Sequence, residues 1–190
     1  MPARAFPSSE LLLFPESLPS GKRLLLAVSR SGKTTETLWA VERLRETGGS
    51  AVLSVTCHPE SPLAEQSEFV LAATAAQEQS VAQTRSFVSM YVLTQALATT
   101  LAGDAEALAR LHRLPGILED LTARLGDLPQ RIGTDLGIER FFFLGGGPFY
   151  GLANEAMLKM KEMTLSYAEA YHPLEFRHGP MSMVDERALV

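Results

Sequence analysis

The sequence predicts an α/β fold with parallel sheets, arranged as two units of one kind. Three observations carry this. Leu24 to Val28 is a short, continuous apolar run, as expected of a parallel strand buried on both faces, and Ala51 to Thr56 is a second. The first run stops at Ser29-Arg30-Ser31-Gly32 and a helical pattern follows, with Leu38, Val41 and Leu44 on one stripe. The same order of strand, small-residue loop and helix recurs at Phe141–Leu144, Gly145–Gly147 and Leu152–Leu165.

Taken in order, residues 1–22 are rich in Pro and Ser, and Glu10 to Pro15 reads as a brief edge strand or a helical turn. Gly48-Gly49 is the expected stop of the first long helix. Pro59 and Pro62 mark a loop before a short helix, and Phe69 to Ala73 is a third candidate strand. Ser80 to Leu101 reads as one long helix, apolar on most faces. From Asp104, a candidate N-cap, a charged helical pattern runs to Leu125 with an expected break at Pro115-Gly116. The expected division is therefore a first unit over 1–103, connector helices over 104–128 and a second unit over 129–190.

Composition narrows the function classes. A net charge of −5 without a basic cluster argues against a nucleic-acid binder. No apolar run approaches the roughly 18 to 20 residues that cross a bilayer, and the N-terminus lacks the layout of a signal peptide. The single cysteine, Cys57, ends an apolar strand and reads as a buried small residue. These features point to a soluble, cytoplasmic protein without membrane or nucleic-acid partners.

The turn after the first strand is a candidate phosphate site. A strand leading through a small, hydroxyl-rich turn into a helix presents free N–H groups and the positive end of the helix dipole. Ser29, Ser31 and Thr34 add hydroxyl donors, and Gly32 permits close backbone approach. A plain polar turn is the bland alternative. A Walker A loop is the sharp one, since Ala27-x-x-x-x-Gly32-Lys33-Thr34 fits its loose form. The physics disfavours it: Ala27 sits within the strand in place of the first glycine, and no strand ends in an Asp to hold Mg²⁺.

The second helix carries acid–base groups. Glu155, Lys159 and Glu162 fall on one helical face among Ala153, Ala156, Met157, Leu158, Met160 and Met163. A lysine between two carboxylates biases their protonation, as a general base requires; a surface ion-pair ladder is the structural alternative. Further on, His172, Glu175, Arg177 and His178 crowd into Ala168–Pro180, which looks like poor material for a plain helix or strand. A histidine proton shuttle fits this segment better than a metal site, since no paired ligand spacing is present.

Ser29-x-Ser31-Gly32-x-Thr34 resembles the phosphosugar-binding motif of sugar isomerase (SIS) domains, with Lys33 where that family usually has Glu. Asn154–Met163, Ala168–Tyr171 and Glu175–Pro180 resemble the second SIS domain of the glucosamine-6-phosphate synthase isomerase part, and equally its stand-alone relatives, the ketosamine-6-phosphate deaminases and ketose/aldose phosphate isomerases. Glu78–Phe87 resembles the family's sugar-contacting segment, with Gln83 where the synthase has Ser.

The resemblance implies three-layer αβα, flavodoxin-like SIS domains, both lacking parts at the ends of the chain. It implies phosphate and sugar binding by Ser29, Arg30, Ser31, Thr34, Val81 and Gln83. Glu162 would move a proton between C1 and C2, Lys159 and Glu155 would tune it, and His178, often from a neighbouring subunit, would open the sugar ring. The expected protein is thus a phosphosugar isomerase or ketosamine-phosphate deaminase without cofactor or metal, acting as a homodimer on a sugar phosphate of the fructose 6-phosphate or glucosamine 6-phosphate type. The alternative is a phosphosugar-binding or regulatory module without catalysis.

Overall fold

A computed structural model describes residues 3–17, 21–46 and 50–190. The chain divides into two compact units, 1–113 and 114–190, and this boundary falls inside the expected connector over 104–128. The expected stop at Gly48-Gly49 lies outside the described residues.

The first unit opens with helix α1 (Ser8–Leu13), so the Glu10–Pro15 piece is helical rather than an edge strand. Strands β1 (Arg23–Val28), β2 (Ser50–Thr56) and β3 (Phe69–Ala72) form a parallel sheet in the order β1-β2-β3, with α2 (Thr35–Glu46) between the first two and the single-turn α3 (Pro62–Glu65) between the last two. Side chains alternate across the sheet as the two-residue period demands. Ala27 and Val52 pack with Val41 and Leu63 on one face, while Leu53, Val55 and Cys57 pack with Met90 on the other. Met90 belongs to α4 (Arg85–Ala102), so helices cover both faces of the sheet. That is why β2, buried from Val52 to Thr56, reads as a continuous run. The Cys57 thiol is fully buried, and burial pushes its pKa up.

Two expectations change here. Helix α4 starts at Arg85 and not at Ser80, because the Glu78 carboxylate accepts the Thr84 N–H at 2.9 Å and the Ser86 N–H at 3.4 Å. A side chain outside the helix thereby satisfies donors at its start. Asp104 does cap α5 (Ala105–Leu111), accepting from the Ala107 N–H at 2.8 Å, but the break after it falls at His112-Arg113. Pro115-Gly116 lies in the first turn of α6 (Leu114–Leu125), where proline's missing N–H needs no partner.

The second unit continues with α7 (Leu128–Gly133), β4 (Arg140–Leu144), α8 (Phe149–Thr164), β5 (Tyr167–Tyr171), the short α9 (Pro173–Phe176) and β6 (Ala188–Leu189). Its sheet is again parallel, in the order β5-β4-β6. Phe142 anchors an aromatic cluster, with ring centroids 5.4 Å from Phe176 and 6.4 Å from Tyr167. The Ala168–Pro180 stretch, expected to suit neither helix nor strand, contains all of β5 after Tyr167 and the whole of α9. Tyr-Ala-Glu-Ala-Tyr alternates in a way that suits a half-buried strand, with Ala168 fully covered and Glu169 half-buried. Among the described residues no helix is long and apolar enough to cross a membrane.

Candidate functional site

The turn between β1 and α2 is held rigidly from within. Ser29 is buried; its N–H donates to the Val55 carbonyl at 3.0 Å, and its Oγ lies 2.9 Å from Thr34 Oγ1 and accepts the Gly32 N–H at 3.2 Å. Ser31 Oγ accepts the Lys33 N–H at 3.2 Å. Gly32 has φ +59°, and a Cβ there would lie 2.0 Å from Ser61 Oγ, so only glycine fits. Among the described residues, the N–H groups of Ser31, Thr34, Thr35 and Glu36 have no hydrogen-bond partner. Four free donors at the start of a 12-residue helix, beside three hydroxyls, form a cradle for an anion.

Arg30 departs from its neighbours. Its carbonyl accepts the Cys57 N–H at 3.0 Å and the Thr56 hydroxyl at 3.1 Å. Its guanidinium reaches the Ser80 carbonyl at 2.6 Å and lies 3.9 Å from Glu78. The turn thus meets the 77–84 segment within one unit, placing Val81 and Gln83 on the piece that Arg30 holds. Val81 is 93% exposed, while Gln83 Oε1 lies 3.5 Å from Ser86 Oγ. Glu78 also accepts from the hydroxyls of Ser86 and Thr84, which hold its carboxyl down at about 2.

In the second unit, α8 brings Glu155, Lys159 and Glu162 together. The Lys159 ammonium donates to Glu162 and lies 3.4 Å from Glu155 Oε1. Burial works to lower its pKa, but the hydrogen bond to Glu162 and the charge of Glu155 outweigh it, so the net shift is upward. Lys159 is therefore a fixed cation shared by two carboxylates. Helix α8 starts where it does because Gly145 lets the Phe149 carbonyl come close; a Cβ would lie 2.3 Å from that oxygen. His178 follows α9, exposed, with its N–H on the Glu175 carbonyl at 3.0 Å. Among the described residues no side-chain bond joins it to Glu155, Lys159 or Glu162. The His172 ring stacks on Tyr150 at 3.9 Å. No group of three or more His, Cys, Asp or Glu among the described residues is placed to hold a metal ion.

A family model described as the SIS domain matches residues 8–100. Residues 8–100 carry a SIS domain. The chain is 31% identical over 176 residues to the isomerizing glutamine–fructose-6-phosphate aminotransferase of Vibrio cholerae, an alignment covering 85% of this chain and 28% of that protein. Among solved structures it is similar to glucosamine-6-phosphate deaminase from Thermotoga maritima, with a TM-score of 0.80, 30% identity, and coverage of 97% of this chain and 56% of that one. It is also similar to tagatose-6-phosphate ketose/aldose isomerase from Escherichia coli, with a TM-score of 0.81, 27% identity, and coverage of 97% and 52%. The chain thus spans just over half the length of these structural relatives and 28% of the curated one.

The SIS match includes the β1–α2 turn and the 77–84 segment but stops before α8. Sequence reasoning left Ser61 without a role and named Glu78 only as the first residue of the sugar-contacting resemblance, yet both shape the turn. Ser61, 1% exposed, closes the space around Gly32, and Glu78 joins Arg30 to the start of α4. The signal for Glu78 was present as an acid followed by Thr84 and Ser86 ahead of a helix. Nothing in the local spacing marked Ser61.

Proposed function

We propose that this chain binds a sugar phosphate and moves a proton between its C1 and C2, in the manner of an aldose/ketose isomerase or a ketosamine-6-phosphate deaminase. What carries the reading is the β1–α2 turn, where four unpartnered N–H groups and the hydroxyls of Ser29, Ser31 and Thr34 converge. Such a cradle suits a phosphate monoester. The catalytic half rests on α8. Glu162, an acceptor for the Lys159 ammonium, would act as the base. It would take the proton from one of the two carbons, leaving an enediol or enolamine, and return it to the other. In an isomerisation the hydroxyl proton of one carbon moves to the carbonyl oxygen of its neighbour, so atoms balance without a redox partner. Lys159 and Glu155 keep that face charged and oriented. His178 would open the ring, and in the SIS family that role often falls to a neighbouring subunit, so the same reading includes a homodimer. A cytoplasmic setting belongs to it as well, given the free, buried Cys57.

Glu162→Gln is the test. Turnover of fructose 6-phosphate or glucosamine 6-phosphate should fall by about 10² to 10⁴, the range of a lost general base, while sugar-phosphate affinity stays within about threefold. Unchanged turnover would sink the assignment. One observation favours a second reading, a phosphosugar-binding module without turnover: the exposed His178 has no side-chain partner on α8 among the described residues. Deuterium exchange at C2 separates the two, because a binding module gives none.

A further inference from the structure

Arg30 sits between Ser29 and Ser31, in the middle of the anion-binding turn, yet its guanidinium is engaged elsewhere. It donates to the Ser80 carbonyl at 2.6 Å and pairs with Glu78 at 3.9 Å, and only 22% of its side chain is exposed. Its own carbonyl takes two bonds, from the Cys57 N–H at 3.0 Å and the Thr56 hydroxyl at 3.1 Å, so its backbone is fixed from behind. Glu78, 7% exposed, is committed as well: both its oxygens accept from Thr84, Ser86 or both.

The 77–84 segment is therefore pinned at three places. Gln77 Nε2 donates to the Cys57 carbonyl at 2.8 Å, Thr84 is held by Glu78, and Arg30 holds Ser80 between them. What lies between the pins is presented outward, with Val81 93% exposed. The cradle does not need this brace, since the Ser29–Thr34 and Gly32–Ser29 hydrogen bonds close within the turn.

We infer that Arg30 and Glu78 are positioning residues that brace the 79–83 segment beside the anion cradle and so set the selectivity for the sugar of a sugar phosphate over phosphate alone. This rests on the proposed binding of a sugar phosphate at the turn. It departs from the expectation, carried by the resemblance, that Arg30 is itself among the residues that bind the phosphate and sugar. One guanidinium nitrogen, Nη1, meets both the Ser80 carbonyl and the Glu78 carboxylate, and the rigid planar group aims it there; an ammonium ends a flexible stem that is not aimed in this way.

The test uses the full chain and two variants. Arg30→Lys keeps the charge and loses the planar group that aims Nη1 at Ser80 and Glu78, while Glu78→Gln keeps the shape and loses the charge. Amide NMR titrations with inorganic phosphate, fructose 6-phosphate and glucosamine 6-phosphate give affinities for each protein. Both variants should lose about tenfold in affinity for the preferred sugar phosphate and less than about threefold for inorganic phosphate, as expected when one charge-assisted hydrogen bond stops ordering a segment. The amides of residues 79–83 should also exchange faster in both unliganded variants. Equal weakening for all ligands would overturn the inference by assigning Arg30 to the phosphate, and unchanged affinities would overturn it by leaving the brace without a role. Failure of the wild-type chain to bind either sugar phosphate would instead overturn the proposed function itself. Should Glu78→Gln unravel the start of α4, Arg30→Lys decides, because every bond from Glu78 to Thr84 and Ser86 survives in it.

Discussion

Replacing Gly32 by alanine puts a methyl group where the structure has no room and the backbone has no tolerance. At φ +59° an L-residue other than glycine is strained by roughly 1 to 2 kcal/mol. The new Cβ would lie 2.0 Å from Ser61 Oγ and 2.5 Å from Ser61 Cβ, so Ser61 would have to move. It cannot move alone. Ser61 is 1% exposed, accepts the Ala64 N–H at 3.4 Å as the cap of α3, and leads into Leu63, which is fully buried against Val41 and Val52. Forced overpacking of this kind costs roughly 1 to 3 kcal/mol. The expected destabilisation of the first unit is therefore about 2 to 5 kcal/mol, a large part of a typical domain's stability of about 5 to 15 kcal/mol. Ser61→Gly should cost only a few tenths of a kcal/mol as a cap change, and in the double variant it removes the overlap but not the strain. The double variant should therefore recover about 1 to 3 kcal/mol relative to the sum of the two single changes. Trp39, the sole tryptophan, lies on α2, so urea unfolding followed by its fluorescence reports on this unit. A Gly32→Ala protein within about 0.5 kcal/mol of wild type, or a cycle with no coupling to Ser61, would refute the reasoning.

Two further outcomes follow from single residues. Leu165 closes α8 in the left-handed conformation at φ +58° and is 90% exposed, so Leu165→Gly removes strain and almost no burial. It should stabilise the second unit by up to about 1 kcal/mol in calorimetric melting, and a lower melting temperature would contradict this. The Glu78 carboxyl sits at about 2 in the folded chain against an ordinary 4.5, so the unfolded chain takes up the proton first. Its contribution to stability is full above pH 4.5 and is lost as pH falls through about 2. Glu78→Gln should therefore flatten the stability profile across that window, read by Trp39 fluorescence in urea; an unaltered acid limb would count against it.

The central strand β2 was legible because it is covered on both faces, and double coverage leaves an unbroken apolar run. Where coverage is uneven, the pattern misled. The prolines, glycine and polar groups of Ala168–Pro180 argued against regular structure, yet its first residues, Ala168–Tyr171, belong to a strand beside β4. The start of α4 failed for another reason. The residues from Ser80 onward suit a helix locally, but the carboxylate of Glu78, six residues before Thr84, claims the donors of Thr84 and Ser86 and sets the first turn at Arg85. Local preference gave way to a hydrogen bond formed across an intervening loop.

The candidate site divides along the same line. The hydroxyls of the β1–α2 turn and the Glu155–Lys159–Glu162 face depend on neighbours within a few residues, so spacing alone brought them together, and Lys159 does lie between the two carboxylates. Arg30 shows what spacing cannot convey. The resemblance placed it with the ligand-binding residues of the loop, whereas its guanidinium is engaged by a carbonyl 50 residues away. The direction of a long side chain is decided by which acceptors the fold brings near. Here the competing acceptors, Ser80 and Glu78, belong to a segment whose own ends are tied down by Cys57 and Thr84. By the inference drawn above, a guanidinium held this way braces that segment rather than contacting a phosphate in the cradle. Its effect falls on the shape of the segment it holds, which is why substitutions at Arg30 should be read in the ratio of two affinities rather than in either one.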